Sequence, residues 1–389
     1  MNESEIVIIG AGAAGLSLTY HLVHRGGSPT VTLVDAPARP PERTWCFWEA
    51  GEGDYEKAVA ASWTRLQVVG DDGERLVRRI DPLRYKMIRS RDFEAFVSAA
   101  CPGVRRVRAR VDGVRDVGPG AEVDGVTAEG RRITLRARWA FDSRPPQSLP
   151  PARTTLLQHF RGWFVRTEHP AFDPGVVSLM DFRVPQPARG LAFGYVLPLG
   201  PREALVEYTE FSPAPLRAAA YERALRRYTD DVLRLGPLRV TGEEQGVIPM
   251  TDAVFPRRVG SSVFRIGTAG GATRPATGYT FAAVQRQSRA IAAARRRGAE
   301  PVPPPPHPAR ARAMDAVLLR ALDQGRVEGA EFFTRLFRRI PAERLLRFLD
   351  GRSRLWEDAA IGLAVPVGPM LRTAVELPLL PRRPHRERP

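Results

Sequence analysis

The sequence predicts an α/β protein built on a three-layer, Rossmann-like dinucleotide-binding domain assembled from separated segments. A β-rich domain is inserted into it, and a helical region follows. Three observations carry this. A buried strand, a glycine-rich turn and a helix open the chain. Strand–glycine–helix chemistry returns at Val263 to Ala294, and the residues between read as short alternating strands. The expected division is 1–150 for the first part of the dinucleotide domain, 151–240 for the β-rich substrate domain, 241–300 for the return segment and 301–389 for a proline linker and helices.

Glu5 to Gly10 is a short apolar run ending in glycine, as a strand buried on both faces requires. Helical spacing follows in Leu16, Leu18, Tyr20, Leu22 and Val23, stopped by Gly26-Gly27, and Val31 to Val34 is a second buried strand. Between strand and helix stands Gly10-Ala11-Gly12-Ala13-Ala14-Gly15, with Asp35 20 residues after Gly15. The physics at each position is specific. Gly10 permits the tight turn, Gly12 lets backbone approach a pyrophosphate, and Gly15 lets helix and strand pack closely. The diphosphate meets the positive helix end, and Asp35 accepts hydrogen bonds from a ribose 2′-hydroxyl. The turn stands near the start of the chain and the fold is re-entered late, which favours FAD over NAD.

Hairpins are expected within Trp63 to Ile80 and Val104 to Arg138, and a helix over Ser90 to Ala100 with Ser90 as its N-cap. Pro145 to Pro151 marks a domain crossing. Leu191 to Leu199 and Ala204 to Thr209 read as a hairpin around Gly200-Pro201, and Pro301 to Pro308 as a stiff linker. Phe332, Phe333, Leu336, Phe337 and Ile340 recur at helical spacing, and Pro341 to Leu349 suits a second helix. This basic, apolar pair lies on a membrane or packs over the substrate domain, and does both if it forms the mouth of a tunnel.

Cys46 and Cys101 form neither a metal-ligand spacing nor a disulfide framework, so no metal is expected and a reducing cytoplasm is. No apolar signal segment and no run of 18 apolar residues is present, so a transmembrane span is not expected. The net charge of +16 is carried by arginine, with Lys57 and Lys86 the lysines. No nucleic-acid-binding motif accompanies it; arginine in place of lysine, beside abundant Ala, Gly and Pro, points to coding bias as the main cause, and a weak peripheral attraction to anionic lipid at the inner face of the membrane is the other reading.

Ala140-Phe141-Asp142-Ser143-Arg144 resembles the strand end of flavoproteins with two dinucleotide-binding domains, and Ile266-Gly267-Thr268-Ala269-Gly270-Gly271 their late flavin-binding strand and helix start. The resemblance implies cofactor contacts at Asp142, Gly267, Thr268, Gly270 and Gly271, although many relatives carry Asp in place of Thr268. The run Pro40 to Trp48, containing Arg43-Thr44-Trp45-Cys46-Phe47-Trp48, resembles the bacterial flavin-dependent lycopene cyclase family, whose members carry R-T-W-x-F-W after the ribose carboxylate. Tyr85 to Ser90, Met180-Asp181-Phe182, Leu205 to Thr209, Gly246 to Met250 and Thr277 to Phe281 keep the family's order, so the resemblance covers about residues 1–290. It implies lycopene or a related acyclic carotenoid as substrate, β-ionone rings as product, and reduced FAD, supplied with electrons by NAD(P)H, that is not consumed.

Glu207 is the first catalytic candidate. It lies in an apolar strand at the family's acidic position, where burial favours the protonated acid that alkene protonation needs. Tyr208 replaces the second acid of many relatives, so a carboxylate-pair mechanism is not expected; the alternative is an edge-strand glutamate facing solvent. Asp181 either orients Glu207 or the flavin, or binds a backbone amide. Arg43 pairs with phosphate or makes a surface ion pair. Trp45, Phe47 and Trp48 line the polyene path or pack in the core. His159 and His169 read as ordinary strand or surface residues. Rival readings are a flavin monooxygenase or halogenase, a geranylgeranyl-reductase-like enzyme, and a non-catalytic carotenoid binder.

Overall fold

The computed structural model describes residues 3–24, 29–38 and 41–385, so the expected stop at Gly26-Gly27 lies outside the described residues, as does Pro40. The chain opens with β1 (Glu3–Ile9), α1 (Ala13–Val23) and β2 (Val31–Asp35). Next come β3 (Thr44–Ala50), β4 (Val59–Trp63), β5 (Arg65–Val69), β6 (Arg75–Arg79), β7 (Leu83–Arg89), α2 (Ser90–Ala100), β8 (Arg105–Val117), β9 (Gly120–Thr127) and β10 (Arg132–Asp142). The middle holds β11 (Thr155–Thr167), β12 (Val176–Asp181), β13 (Leu191–Pro198), β14 (Glu203–Ser212), α3 (Ala218–Arg227) and β15 (Leu238–Thr251). The last part holds β16 (Val263–Arg265), α4 (Phe281–Arg296), α5 (Ala309–Asp323), α6 (Gly329–Arg339), α7 (Ala342–Leu349), α8 (Leu355–Ala364) and α9 (Val367–Glu376).

The first sheet is the mixed α/β core that the sequence predicts. β1 lies parallel between β2 and β10, β8 extends the sheet beyond β2, and β16 adds beside β10. β9 joins β8 and β10 as an antiparallel meander. Ile6 to Ile9 are all buried, which is why β1 is apolar without alternation. α1 is buried from Ala14 to Leu22, pressed between this sheet and α4.

The second sheet has the order β15-β11-β14-β13-β12-β5-β6. It contains the hairpin of β13 and β14 expected around Gly200-Pro201. It also recruits β5 and β6 from inside the expected 1–150 segment, and β15 runs past residue 240. Leu66, Val68 and Leu76 explain the recruitment: their buried faces join a core with Phe182, Phe333 and Phe337 that the first sheet does not offer. A small sheet, β3-β7-β4, lies apart from both. The Ser90 hydroxyl does not cap α2, whose N-cap is Arg89, but accepts a hydrogen bond from Arg43 N at 3.0 Å.

The opposite face of the second sheet is covered by α3, with Trp163, Tyr208, Tyr221 and Tyr228 between. His159 belongs to that buried layer rather than to the surface. It bonds Ser212 Oγ at 2.8 Å and Tyr221 Oη at 2.7 Å, and burial pushes its pKa down to about 4.

The α6 and α7 residues Phe332, Phe333, Leu336, Phe337, Leu345 and Leu346 are all buried, so the apolar face of this pair packs inward against the core of the second sheet. Pro301 to Pro308 is no free linker: Gln287 donates to Pro304 O at 2.9 Å and His307 bonds Ala272 O at 2.9 Å, strapping the tract along α4. Arg274 and Asp315 form a bidentate pair, both almost fully buried, that ties the return segment to α5.

Candidate active site

A single cavity of about 1560 Å³ runs from the α1 turn to the second sheet, beyond the roughly 300–1,000 Å³ of a usual small-molecule pocket. Its polar end is the glycine turn. Gly10 adopts φ +95, which permits the reversal from β1 into α1. A Cβ on Gly15 would stand 1.8 Å from Gly10 O, so that glycine serves helix–strand packing. A Cβ on Gly12 would meet no protein atom within 4 Å, because it would point into the cavity. No side chain caps α1, so its first-turn N–H groups are directed at whatever occupies that space. Asp35 also lines the cavity; it accepts from Ala11 N at 3.1 Å and from Arg108 at 3.1 Å. Arg43, Gly267 and Thr268 lie on the same wall. This concave set of helix N–H groups, carboxylate and guanidinium fits the diphosphate and ribose of a dinucleotide.

Three expected contacts are not brought to the wall. Asp142 is occupied by Arg144 through bonds of 2.7–3.2 Å, and it is Arg144 that lines the cavity. Gly270 and Gly271 stand behind Gly267 and Thr268: a Cβ on Gly270 would lie 2.5 Å from Arg265 O, and one on Gly271 would pack on Phe255. Their glycine identity serves the turn, in which Gly271 has φ +78.

The other end of the cavity is apolar and holds a carboxylate pair. On β14, Leu205, Glu207, Thr209 and Phe211 share one face and line the cavity, whereas Val206 and Tyr208 pack beneath α3. Gly162 of β11 lies between Glu207 of β14 and Glu244 of β15, in register with both. A Cβ on Gly162 would come within 2.7 Å of Glu207 Cγ, so the glycine is the gap across which the two carboxyls reach each other. Glu207 and Glu244 are 7% and 6% exposed and face one another across that gap, a carboxyl pair that the sequence did not lead one to expect; a proton between them relieves the repulsion of two buried carboxylates. Burial raises the Glu207 pKa well above the usual carboxylate range, and the charge and hydrogen bond of Glu244 add to the shift. Thr44 Oγ1 donates to Glu244 Oε2 at 2.6 Å and fixes that carboxyl in place.

Beside the pair, Tyr85 Oη lies 2.8 Å from Tyr195 Oη and 3.2 Å from Tyr279 Oη. Burial holds all three phenols above their ordinary pKa and pushes the adjacent Cys46 thiol up to about 12, so none of them ionises near neutral pH. Phe193, Phe211, Phe333 and Phe337 complete the walls. Trp45 lines the cavity, whereas Phe47 stacks on Phe281 at 4.7 Å and Trp48 meets Tyr279 at 4.5 Å as packing.

Asp181 is not part of this site. A bulge in β12 between Ser178 and Met180 sets both Leu179 and Met180 against the cavity and turns Asp181 to the other face, where Arg183 holds it bidentately at 2.6 and 2.9 Å and Tyr228 donates at 3.0 Å. Glu244, Thr44 and Gly162 were not singled out from sequence. Glu243 and Glu244 are adjacent acids just before the Gly246 to Met250 element. Alternation requires one to point inward, but only the pairing register shows that it is Glu244, with Glu243 held by Arg161 at 2.5 Å.

Among solved structures, the chain resembles a geranylgeranyl bacteriochlorophyll reductase-like protein from Thermoplasma acidophilum (13% identity, 97% of each chain covered, TM-score 0.59). It also resembles a flavoprotein/dehydrogenase from Cytophaga hutchinsonii (12% identity, 97% of this chain and 99% of that one, TM-score 0.62). The flavin-dependent brominase Bmp2 is a third (13% identity, 96% and 98%, TM-score 0.61). These likenesses establish a flavoenzyme fold. No curated protein matches the chain by sequence. Residues 5–375 match the lycopene cyclase protein family, nearly the whole described chain, and the protein belongs to that family.

Proposed function

We propose that the protein converts the ψ end groups of lycopene, or of a related acyclic carotenoid, into β-ionone rings, yielding γ-carotene and β-carotene. The reaction is proton-initiated and has no net redox change. It requires FAD in its reduced form, with NAD(P)H as electron source. One observation carries this reading: a pair of buried carboxyls facing each other across Gly162 stands at the apolar end of the cavity whose polar end is a dinucleotide cradle.

The chemistry follows from that pair. Glu207 donates its proton to the terminal alkene carbon, leaving a tertiary carbocation. The neighbouring double bond attacks the cation and closes the six-membered ring. Glu207 and Glu244 are now both ionised side by side, which makes the pair a stronger base than either carboxylate alone. It takes the proton whose loss forms the ring alkene, so the proton count is restored and the product is an isomer of the substrate. The faces of Phe193, Phe211, Phe333 and Phe337 offer π density to the cation and exclude the water that would trap it. Bound in the polar arm, the reduced flavin would supply an electron-rich ring that stabilises positive charge. Its diphosphate and ribose would be held by the Gly12 turn, Asp35, Arg43 and Thr268.

The apolar substrate supports a place at the cytoplasmic face of the membrane. Purified protein given lycopene under anaerobic conditions with NAD(P)H or dithionite is expected to form rings while consuming far fewer reducing equivalents than rings. One equivalent consumed per ring would refute the non-redox reaction.

A further inference from the structure

With α6 and α7 packed inward, the apolar surface of the protein lies elsewhere. Among the described residues, every exposed leucine and the exposed tryptophan fall in α8, α9 and the turn that follows: Leu355, Trp356, Leu363, Leu371 and Leu379, with Val367 and Val375 beside them. Their exposure runs from 51% at Val367 to 81% at Leu379; the exposed large hydrophobics elsewhere are isolated valines. Burying these side chains against the protein is not open to them, because Ile361, Ala364, Thr373 and Leu377 already face inward.

We propose that this face seats the protein in the headgroup–acyl boundary of an anionic lipid bilayer. Charge selects the partner. Between Leu355 and Leu379 the exposed charged residue is Arg372, with Arg352 and Arg354 before the stretch and Arg382 and Arg383 after it also exposed. Arg344 lies over the Trp356 ring at 4.7 Å. Acids of the region are turned to arginine partners: Glu343 and Glu357 to Arg347, Asp350 to Arg286, Asp358 to Arg310, Glu376 to Arg320 and Arg326. The result is an apolar face with a cationic rim, which complements anionic headgroups over acyl chains. A second copy of the chain fits worse, since two-fold pairing of the face would set one arginine rim against another.

Geometry selects lying on the membrane over spanning it. Among the described residues no single helix is long and apolar enough to cross, and Leu355–Ala364 and Val367–Leu379, which together would be, are bent by 116° to each other. A helix of α8's length covers about 15 Å, half of a hydrocarbon core of about 30 Å. α8 packs on α6 and α7, whose Phe333, Phe337 and Leu349 line the apolar end of the cavity. The lipid face is therefore one helix layer from the site; for its purpose, delivery of a membrane-dissolved polyene, the proposal rests on the function proposed above.

The test is co-sedimentation of the flavin-loaded protein with phosphatidylglycerol–phosphatidylcholine vesicles and with phosphatidylcholine vesicles alone. The parent is expected to prefer the anionic vesicles, less so at high salt. Leu363→Asp with Leu371→Asp should lower that binding by about tenfold or more, while flavin content and turnover of detergent-dispersed lycopene stay at the parent level. Equal binding by the double variant, no preference for anionic vesicles, or a dimer on gel filtration that the double variant breaks would each overturn the proposal. Vesicle binding lost in the double variant, in a protein that cyclises nothing, would uphold the lipid face and remove only the proposed reaction.

Discussion

Glu207→Gln is expected to lower cyclisation by about 10²–10⁴-fold, the usual contribution of a general acid, while flavin content and lycopene binding survive. The amide is nearly isosteric and can still hydrogen-bond Glu244 across Gly162, so the wall of the cavity keeps its shape. What it lacks is a proton acidic enough to form the carbocation. Glu244→Gln acts differently. It removes the charge and the hydrogen bond that help hold Glu207 in its protonated form. The Glu207 pKa then falls, and the alkaline limb of the pH–rate profile, where the acid form is lost, moves to lower pH. Because the two act as a unit, the double variant should cost little more than Glu207→Gln alone. If Glu207→Gln turns over within about threefold of the parent, well under the range for a general acid, the carboxyl is structural.

Gly12→Val is expected to lose the flavin and keep the fold. The new side chain meets no protein atom near its Cβ, so nothing in the chain resists it, and the space it fills is the space the diphosphate needs. Overpacking of that kind costs about 1–3 kcal/mol, or roughly 5- to 150-fold in affinity, enough for the yellow absorbance to separate from the protein on gel filtration. Gly15→Val makes the contrast: its Cβ falls 1.8 Å from Gly10 O, so this variant should fail to fold. A folded Gly12→Val protein with a full flavin spectrum would place the cofactor elsewhere.

What was legible in the sequence was local. The glycine turn, Asp35 and the strand before them lie within a few dozen residues, and each has a spacing fixed by one backbone motif. Glu207 was legible because a carboxylate in an apolar strand is conspicuous by itself. Its partner was not: Glu244 comes from a strand that meets β14 only through β11, and the pair exists because Gly162 leaves a gap between them. Asp181 misled for the same reason, since its face is set by a bulge in β12 that strict alternation does not show. The placement of β5 and β6 was equally hidden, as an alternating strand does not say which sheet will pair with it. In the C-terminal region the strong helical periodicity of α6 and α7 marks a face that packs, whereas the exposed apolar residues of α8 and α9 were visible only once their neighbours were in place.

The isotopic composition of the product tests the central claim most directly. Protein with reduced flavin, equilibrated in D₂O without oxygen and held in excess over lycopene, should give ring products that differ from lycopene only by deuterium, one atom for each ring closed. The deuteron comes from the Glu207–Glu244 pair, and the proton lost afterwards leaves a different carbon. Ring product without deuterium would contradict proton initiation by the pair. A product that has gained oxygen, or gained hydrogen across a double bond, would show a monooxygenase or a reductase in its place.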